Sequence, residues 1–311
     1  MQKHILVAID NTVHSMDALH YTATLSTIIP ETRYSLIHIQ PVVSQYLTDE
    51  ARLKANARKA LENVGQAHQA KGLEILETAA RRLMQKGVPE DHIEQITTPR
   101  RDTSVASDIL ATSMARSFDA IVVGRRGASN LRQWLMGSVT ANLVEHSKVI
   151  PIWIVDGRID STKLLLAADG SYASLRALDH LAFILSGSTN HRISILHIRP
   201  RFRDFCKIDL EPDTVERAQS AFLDEDQRCM DDFYPRALKI LEKNGISKER
   251  LEFKSVDGNL SIPRMIIAYA HANDFGTIVM GRSGRSRGMF TGSVSYGLLQ
   301  KAAHCALWVV P

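Results

Sequence analysis

The chain has 311 residues, 44% of them apolar and 23% charged, with a formal net charge of +4. That length exceeds one average core and fits two domains of roughly 150 residues each, with the composition of an ordinary soluble globular protein. So mild a charge permits an anionic ligand but does not argue for nucleic acid.

The opening "MQKHILVAID" is too short an apolar run for a signal peptide, and Asp10 interrupts it. No stretch approaches bilayer-spanning length, so neither a membrane nor export is expected and the protein reads as cytoplasmic. Cys206, Cys229 and Cys305 are odd in number and form no C-x-x-C pair, which fits free thiols in a reducing compartment.

Along the first half, strand-length aliphatic runs occur at 4–9, 34–39, 92–97, 119–123 and 149–155. Helical patterns separate them. In 48–70, Leu53, Ala57, Ala60, Leu61, Val64 and Ala67 keep near-3.6 spacing, and 73–85 continues it with Leu76, Ala79, Ala80 and Leu83. This connection is therefore two helices or one long broken helix. "DGRIDST" at 156–162 is short and polar, as a linker should be.

The second half repeats the first. "HILVAIDNTVHSMDAL" aligns with "KLLLAADGSYASLRAL", setting Asp10 against Asp169. "YSLIHIQP" aligns with "ISILHIRP", setting His38 against His197, and "FDAIVVGRRG" with "FGTIVMGRSG", setting Gly124 against Gly281. "VIPIWIVDG" returns as "HCALWVVP". Four blocks in one order are a duplicated domain. Pro212 is placed to open a long helix over 213–243, on which "DEDQRCMDD" reads as the solvated face.

Strands alternating with helices predict an α/β fold: two tandem doubly wound, Rossmann-like domains over 1–156 and 161–311, each a five-stranded parallel sheet flanked by helices. A short linker keeps the halves paired within the chain. The last strands could instead pair between chains, which leaves a homodimer open. Ligands of such sheets bind beyond the carboxyl ends of the strands. Three repeated features fall there: the acids Asp10 and Asp169, the backbone after His38 and His197, and a glycine-rich phrase after the fourth strand.

In the first copy the phrase runs G-x2-G-x9-G-S, from Gly124 through Gly127 to Gly137 and Ser138. Ser138 is the expected N-cap of a helix whose first amides would favour a phosphate, and Arg125 and Arg126 add positive charge at the rim. The second copy has Gly281, Gly284, Gly292 and Ser293, with seven residues rather than nine between its middle glycines. Its phosphate arc is shorter, and binding there is weakened or altered.

On these motifs the chain resembles the universal stress protein family over nearly its whole length. In the first half, the resemblance implies adenine and ribose near Ala8, Asp10 and the main chain of Ile39. It places phosphates among Gly124, Arg125, Gly127, Gly137, Ser138 and Val139. The matching positions in the second half are Asp169, Ile198, Gly281, Gly284, Gly292 and Ser293. The implied ligand is ATP or another adenine nucleotide, with magnesium able to join Asp10 through the phosphates. The implied role is a nucleotide-responsive stress or signalling module; a nucleotide-independent interaction scaffold and a slow ATPase are the alternatives.

Catalysis has little sequence support, since neither phrase carries the Lys of a Walker A loop and no G-x-S-x-G or HExxH occurs. At matching strand ends, His38 and His197 read as structural. "RPRFRDF" at 199–205 interleaves basic and aromatic residues, but lies on the ligand edge, where a phosphate-facing or solvated rim outweighs RNA contact.

Overall fold

The computed structural model describes residues 2–101, 104–125, 136–189, 191–200, 212–258, 260–283 and 293–311. The first half runs β1 (Lys3–Ala8), α1 (Val13–Ser26), β2 (Thr32–Ile39), α2 (Gln45–Leu53), α3 (Ala55–Gln85), β3 (Ile93–Thr98), α4 (Val105–Ala115), β4 (Ala120–Gly124), α5 (Ser138–His146) and β5 (Ile152–Val155). The second follows with β6 (Leu164–Ala167), α6 (Tyr172–Leu185), β7 (Ile193–Arg199), α7 (Pro212–Lys243), β8 (Leu251–Asp257), α8 (Ile262–Ala272), β9 (Thr277–Gly281), α9 (Ser293–Lys301) and β10 (Ala306–Val310).

Each half is a parallel five-stranded sheet, as the alternation of strands and helices requires. Across the molecule the strands form one ten-stranded sheet in the order β3-β2-β1-β4-β5-β10-β9-β6-β7-β8. Strand order reverses between β1 and β4, and again between β6 and β9, which places a ligand crevice in each half.

The two halves join through β5 and β10, which pair antiparallel with Trp153 opposite Trp308. The two indoles stack with centroids 3.8 Å apart, and both residues are buried. Trp308 Nε1 donates to the Tyr21 hydroxyl at 2.8 Å, and Trp153 Nε1 donates to His180 Nε2 at 3.1 Å. Tyr21 on α1 and His180 on α6 are repeat equivalents, so each half's last strand is bonded to the other half's first helix in a reciprocal pattern. The Tyr21 hydroxyl also lies 2.7 Å from Thr277 Oγ1 on β9. Lys3 adds a further tie, its buried ammonium donating to the carbonyls of Pro30 at 3.0 Å and Ser186 at 2.6 Å.

Both sheet faces are covered. One core packs α1, α3, α6 and α7 against the sheet; the other packs α4, α5, α8 and α9. The helices start as their sequences direct: Thr12, Ser104 and Ser171 cap α1, α4 and α6 by accepting from Ser15, Ser107 and Ser174 amides.

Two expectations shift. The long connection is two helices, but the break falls at Lys54, whose backbone is extended (φ −122°, ψ 128°), not near Gly72. Gly72 continues α3 because the helix lies against β3 there: a Cβ would sit 2.7 Å from Thr97 Oγ1. The final strand of the first half begins at Ile152 rather than 149, just past Pro151, which has no amide proton for a ladder.

Candidate functional site

Asp10 and Asp169 stand just beyond β1 and β6, and the backbone turns the same way after both. Asn11 (φ 63°) and Gly170 (φ 76°) adopt the left-handed conformation that Asn and Gly tolerate best. Asp10 Oδ1 accepts from the Thr12 amide at 3.1 Å and the Thr12 hydroxyl at 2.6 Å. Asp169 Oδ1 accepts from the Ser171 amide at 3.1 Å and the Ser174 hydroxyl at 2.7 Å. Each acid therefore holds the turn that starts the next helix while remaining on the ligand edge. Ala8 and Ile39 are half-buried at their strand ends; Ile198 is buried.

His38 Nδ1 lies 2.8 Å from the Ile9 carbonyl and His197 Nδ1 lies 3.0 Å from the Ala168 carbonyl, so each imidazole donates there and ties the second strand to the end of the first. His197 Nε2 also meets Asp226 Oδ2 at 2.9 Å, with both side chains buried. With both nitrogens engaged, His197 is not placed to act as a base toward the nearby serines. Asp226 also corrects the solvated-face reading of "DEDQRCMDD". It continues the buried stripe of α7 formed by Met230, Phe233, Ala237 and Leu241, and that spacing was the available signal.

Gly124 and Gly281 end the fourth strand of each half, and close approach explains both. A Cβ on Gly124 would lie 2.2 Å from the His14 carbonyl oxygen, and one on Gly281 would lie 2.6 Å from Ala173 backbone atoms. The next helix then opens on the same edge. Its N-cap is Gly137 (φ −57°, ψ 148°), with Ser138 the first helical residue; this corrects the expected Ser138 cap. The N-cap glycine has no side chain to cap the first turn of α5, and helix-start amides of this kind suit an anionic ligand. Val139 is half-buried against the second core. Thr140 Oγ1 donates to the Gly124 carbonyl at 3.4 Å and, at the matching place, Ser295 Oγ donates to that of Gly281 at 2.8 Å. Ser293 starts α9.

Arg125 departs from its expected place on the phosphate rim. The residue is 7% exposed, and its guanidinium donates to the carbonyls of Ala302 and Gln300 in the other half. Sequence spacing could not show this, because the partner lies more than a domain away. Gly127, Gly284, Gly292, Cys206 and the stretch from 201 to 205 lie outside the described residues.

In the second half the edge encloses a cavity of about 320 Å³. Asp169, Ile198, Gly281 and Ser293 line it, joined by Phe222, Asp226, Ile262 and Ile266, which motif reading had not selected. A larger cleft of about 490 Å³ runs from the β1–α1 turn (Asn11, Thr12) along α1 to the end of α3 and Arg158. Among the described residues, no group of three His, Cys, Asp or Glu side chains could hold a metal ion, and no helix is long and apolar enough to cross a membrane.

The fold aligns with a crystal structure of a universal stress protein from Archaeoglobus fulgidus (TM-score 0.65, 20% identity, covering 99% of this chain and 97% of that one). It also aligns with a functionally unknown protein from Pseudomonas aeruginosa (TM-score 0.57, 15% identity, covering 99% and 92%). No curated protein matches the chain at a significant level. The universal stress protein family model matches twice, over residues 1–156 and 161–311. The chain belongs to the universal stress protein family, carrying two copies of its unit in tandem.

Proposed function

We propose that the chain binds ATP or a related adenine nucleotide at the carboxyl edge of its first half and acts as a nucleotide-responsive module in a stress response. The supporting observation is the start of α5, which has a glycine rather than a capping side chain at its N-cap and opens beside Gly124 on the edge that carries Asp10. Amides at a helix start, with the positive end of its dipole, suit phosphate. Adenine and ribose would lie toward Ala8, Asp10 and the Ile39 main chain, and the phosphates toward Gly124, Gly137, Ser138 and Val139. Magnesium would arrive with the nucleotide, held by phosphate oxygens, water and at most Asp10, as is usual for this ion. In the second half the cavity lined by Asp169, Ile198, Gly281 and Ser293 is the matching position, within the size range of small-ligand pockets. Binding becomes a signal only if the nucleotide favours one arrangement of the edge over another.

The test is calorimetric titration of magnesium-ATP into nucleotide-stripped protein, repeated on Gly127→Val and Gly284→Val. One site lost only in Gly127→Val is the expected result. Two sites, the second lost in Gly284→Val, would extend the function to both halves. No heat and no thermal shift at millimolar ATP would overturn the reading in favour of a nucleotide-independent scaffold, since a ligand of the folded state must raise the melting temperature.

A further inference from the structure

Arg125 and Arg282 follow the two fourth-strand glycines, and the backbone holds both alike. The Arg125 amide donates to the Val155 carbonyl and the Arg282 amide to the Val310 carbonyl, each at 2.7 Å. With the main chain fixed to its own half, each side chain crosses to the other. Arg125 Nη1 donates to the carbonyl of Ala302 and Nη2 to that of Gln300 at 3.3 Å, at the carboxyl end of α9; Asp156 Oδ2 lies 3.7 Å away. Arg282 Nη1 donates to the carbonyl of Ser147, the residue that ends α5.

The last carbonyls of a helix lack partners within it, and a cation there also complements the dipole. So α5 is held at its carboxyl end by an arginine of the second half, and α9 at its carboxyl end by an arginine of the first. The other ends of these helices are the candidate sites. Gly137 and Ser138 open α5 on the edge of the first half. Ser293, Val294, Ser295 and Leu298 of α9 line the second-half cavity, and so do Gly281 and Ser283 on either side of Arg282.

We infer that the two candidate sites are energetically coupled: occupation of the second-half cavity acts through Arg282 on α5 and the first-half site, and the first-half site acts through Arg125 on α9 and the cavity. An anion at the start of a helix and a guanidinium at its end stabilise the same helix, so anchoring at one end changes what binding at the other must order. The linkage is reciprocal. The coupling of helices stands on the arginine geometry alone; its expression as nucleotide affinity rests on the function proposed above.

Hydrogen exchange of the ligand-free, full-length chain tests the first part. In Arg282→Met, exchange within Ser138–His146 should speed up roughly tenfold, equivalent to about 1.4 kcal/mol. The rest of the first half should keep its native rates. Arg282→Lys, which keeps a cation and one donor, should restore most of the protection; Arg125→Gln should loosen Ser293–Lys301 in the same selective way. The exposed Lys254→Ala serves as a second-half control and should change neither helix. Calorimetry then tests the second part: Arg282→Met should weaken magnesium-ATP binding in the first half about tenfold, with Arg282→Lys near native. Unchanged exchange in α5, or equal acceleration throughout both halves, would overturn the coupling and leave the arginines as structural staples. If Arg282→Met fails to fold, unchanged exchange of α9 in Arg125→Gln would overturn it equally. Absence of ATP binding in the native chain would refute the proposed function, and the exchange result would still decide the coupling.

Discussion

A side chain at Gly124 would strike the backbone of α1, whereas one at Gly65 would meet nothing within 4 Å. Gly124→Ala should therefore lower stability by about 3 kcal/mol, because the clash is with a carbonyl group that cannot swing away. Gly65→Ala, inside α3, should raise it by about 0.5–1 kcal/mol through helix propensity and a less free unfolded chain. Chemical denaturation of the two variants checks both signs. The repeat marked Gly124 in the sequence, but as the start of a phosphate turn; the steric demand belongs to His14, and only packing reveals it. Arg125 is the same lesson in a charged residue, legible as a cation by a glycine loop and not legible as a tie to Ala302.

At the scale of elements, β5 and β10 depend on partners from α1 and α6. His180 accepts from Trp153, and its ring lies edge-on to both indoles at 5.9 and 5.7 Å. Desolvation lowers its pKa from 6.5 to about 3. Below pH 6.5 the unfolded chain takes up a proton here while the folded chain does not, so stability falls as pH drops from about 6.5 toward 3. This site contributes a slope of up to roughly 1.4 kcal/mol per pH unit, and its contribution is fully present above that window. His180→Gln keeps an acceptor for the indole and removes the titration, so its acid denaturation should be shallower than the native chain's over that range. Equal slopes would show that His180 does not carry the effect. Periodicity found α3 and α7 but misplaced the break at Lys54 and the environment of Asp226. Gly72 stays helical because it lies against Thr97 of β3, and Asp226 is buried on His197; neither contact is visible in the periodicity.

For the whole molecule, the antiparallel β5–β10 pair makes one chain do what two copies of a single unit would do about a two-fold axis. A first half expressed alone, residues 1–160, would expose the β5 edge and Trp153. It should form a symmetric dimer through that edge; light scattering showing a folded, stable monomer would contradict this. The sequence by itself determined the α/β class, the duplication, the order of strands and helices, and the acids and glycines on the ligand edge, because these follow from local periodicity and from repeated residues in register. Tertiary structure alone decided that the last strands pair within the chain, that Arg125 and Arg282 cross between halves, and that the second-half edge encloses a cavity reaching Asp226. Those features arise from contacts between residues far apart in sequence, whose positions only the packed sheet and its helices can set.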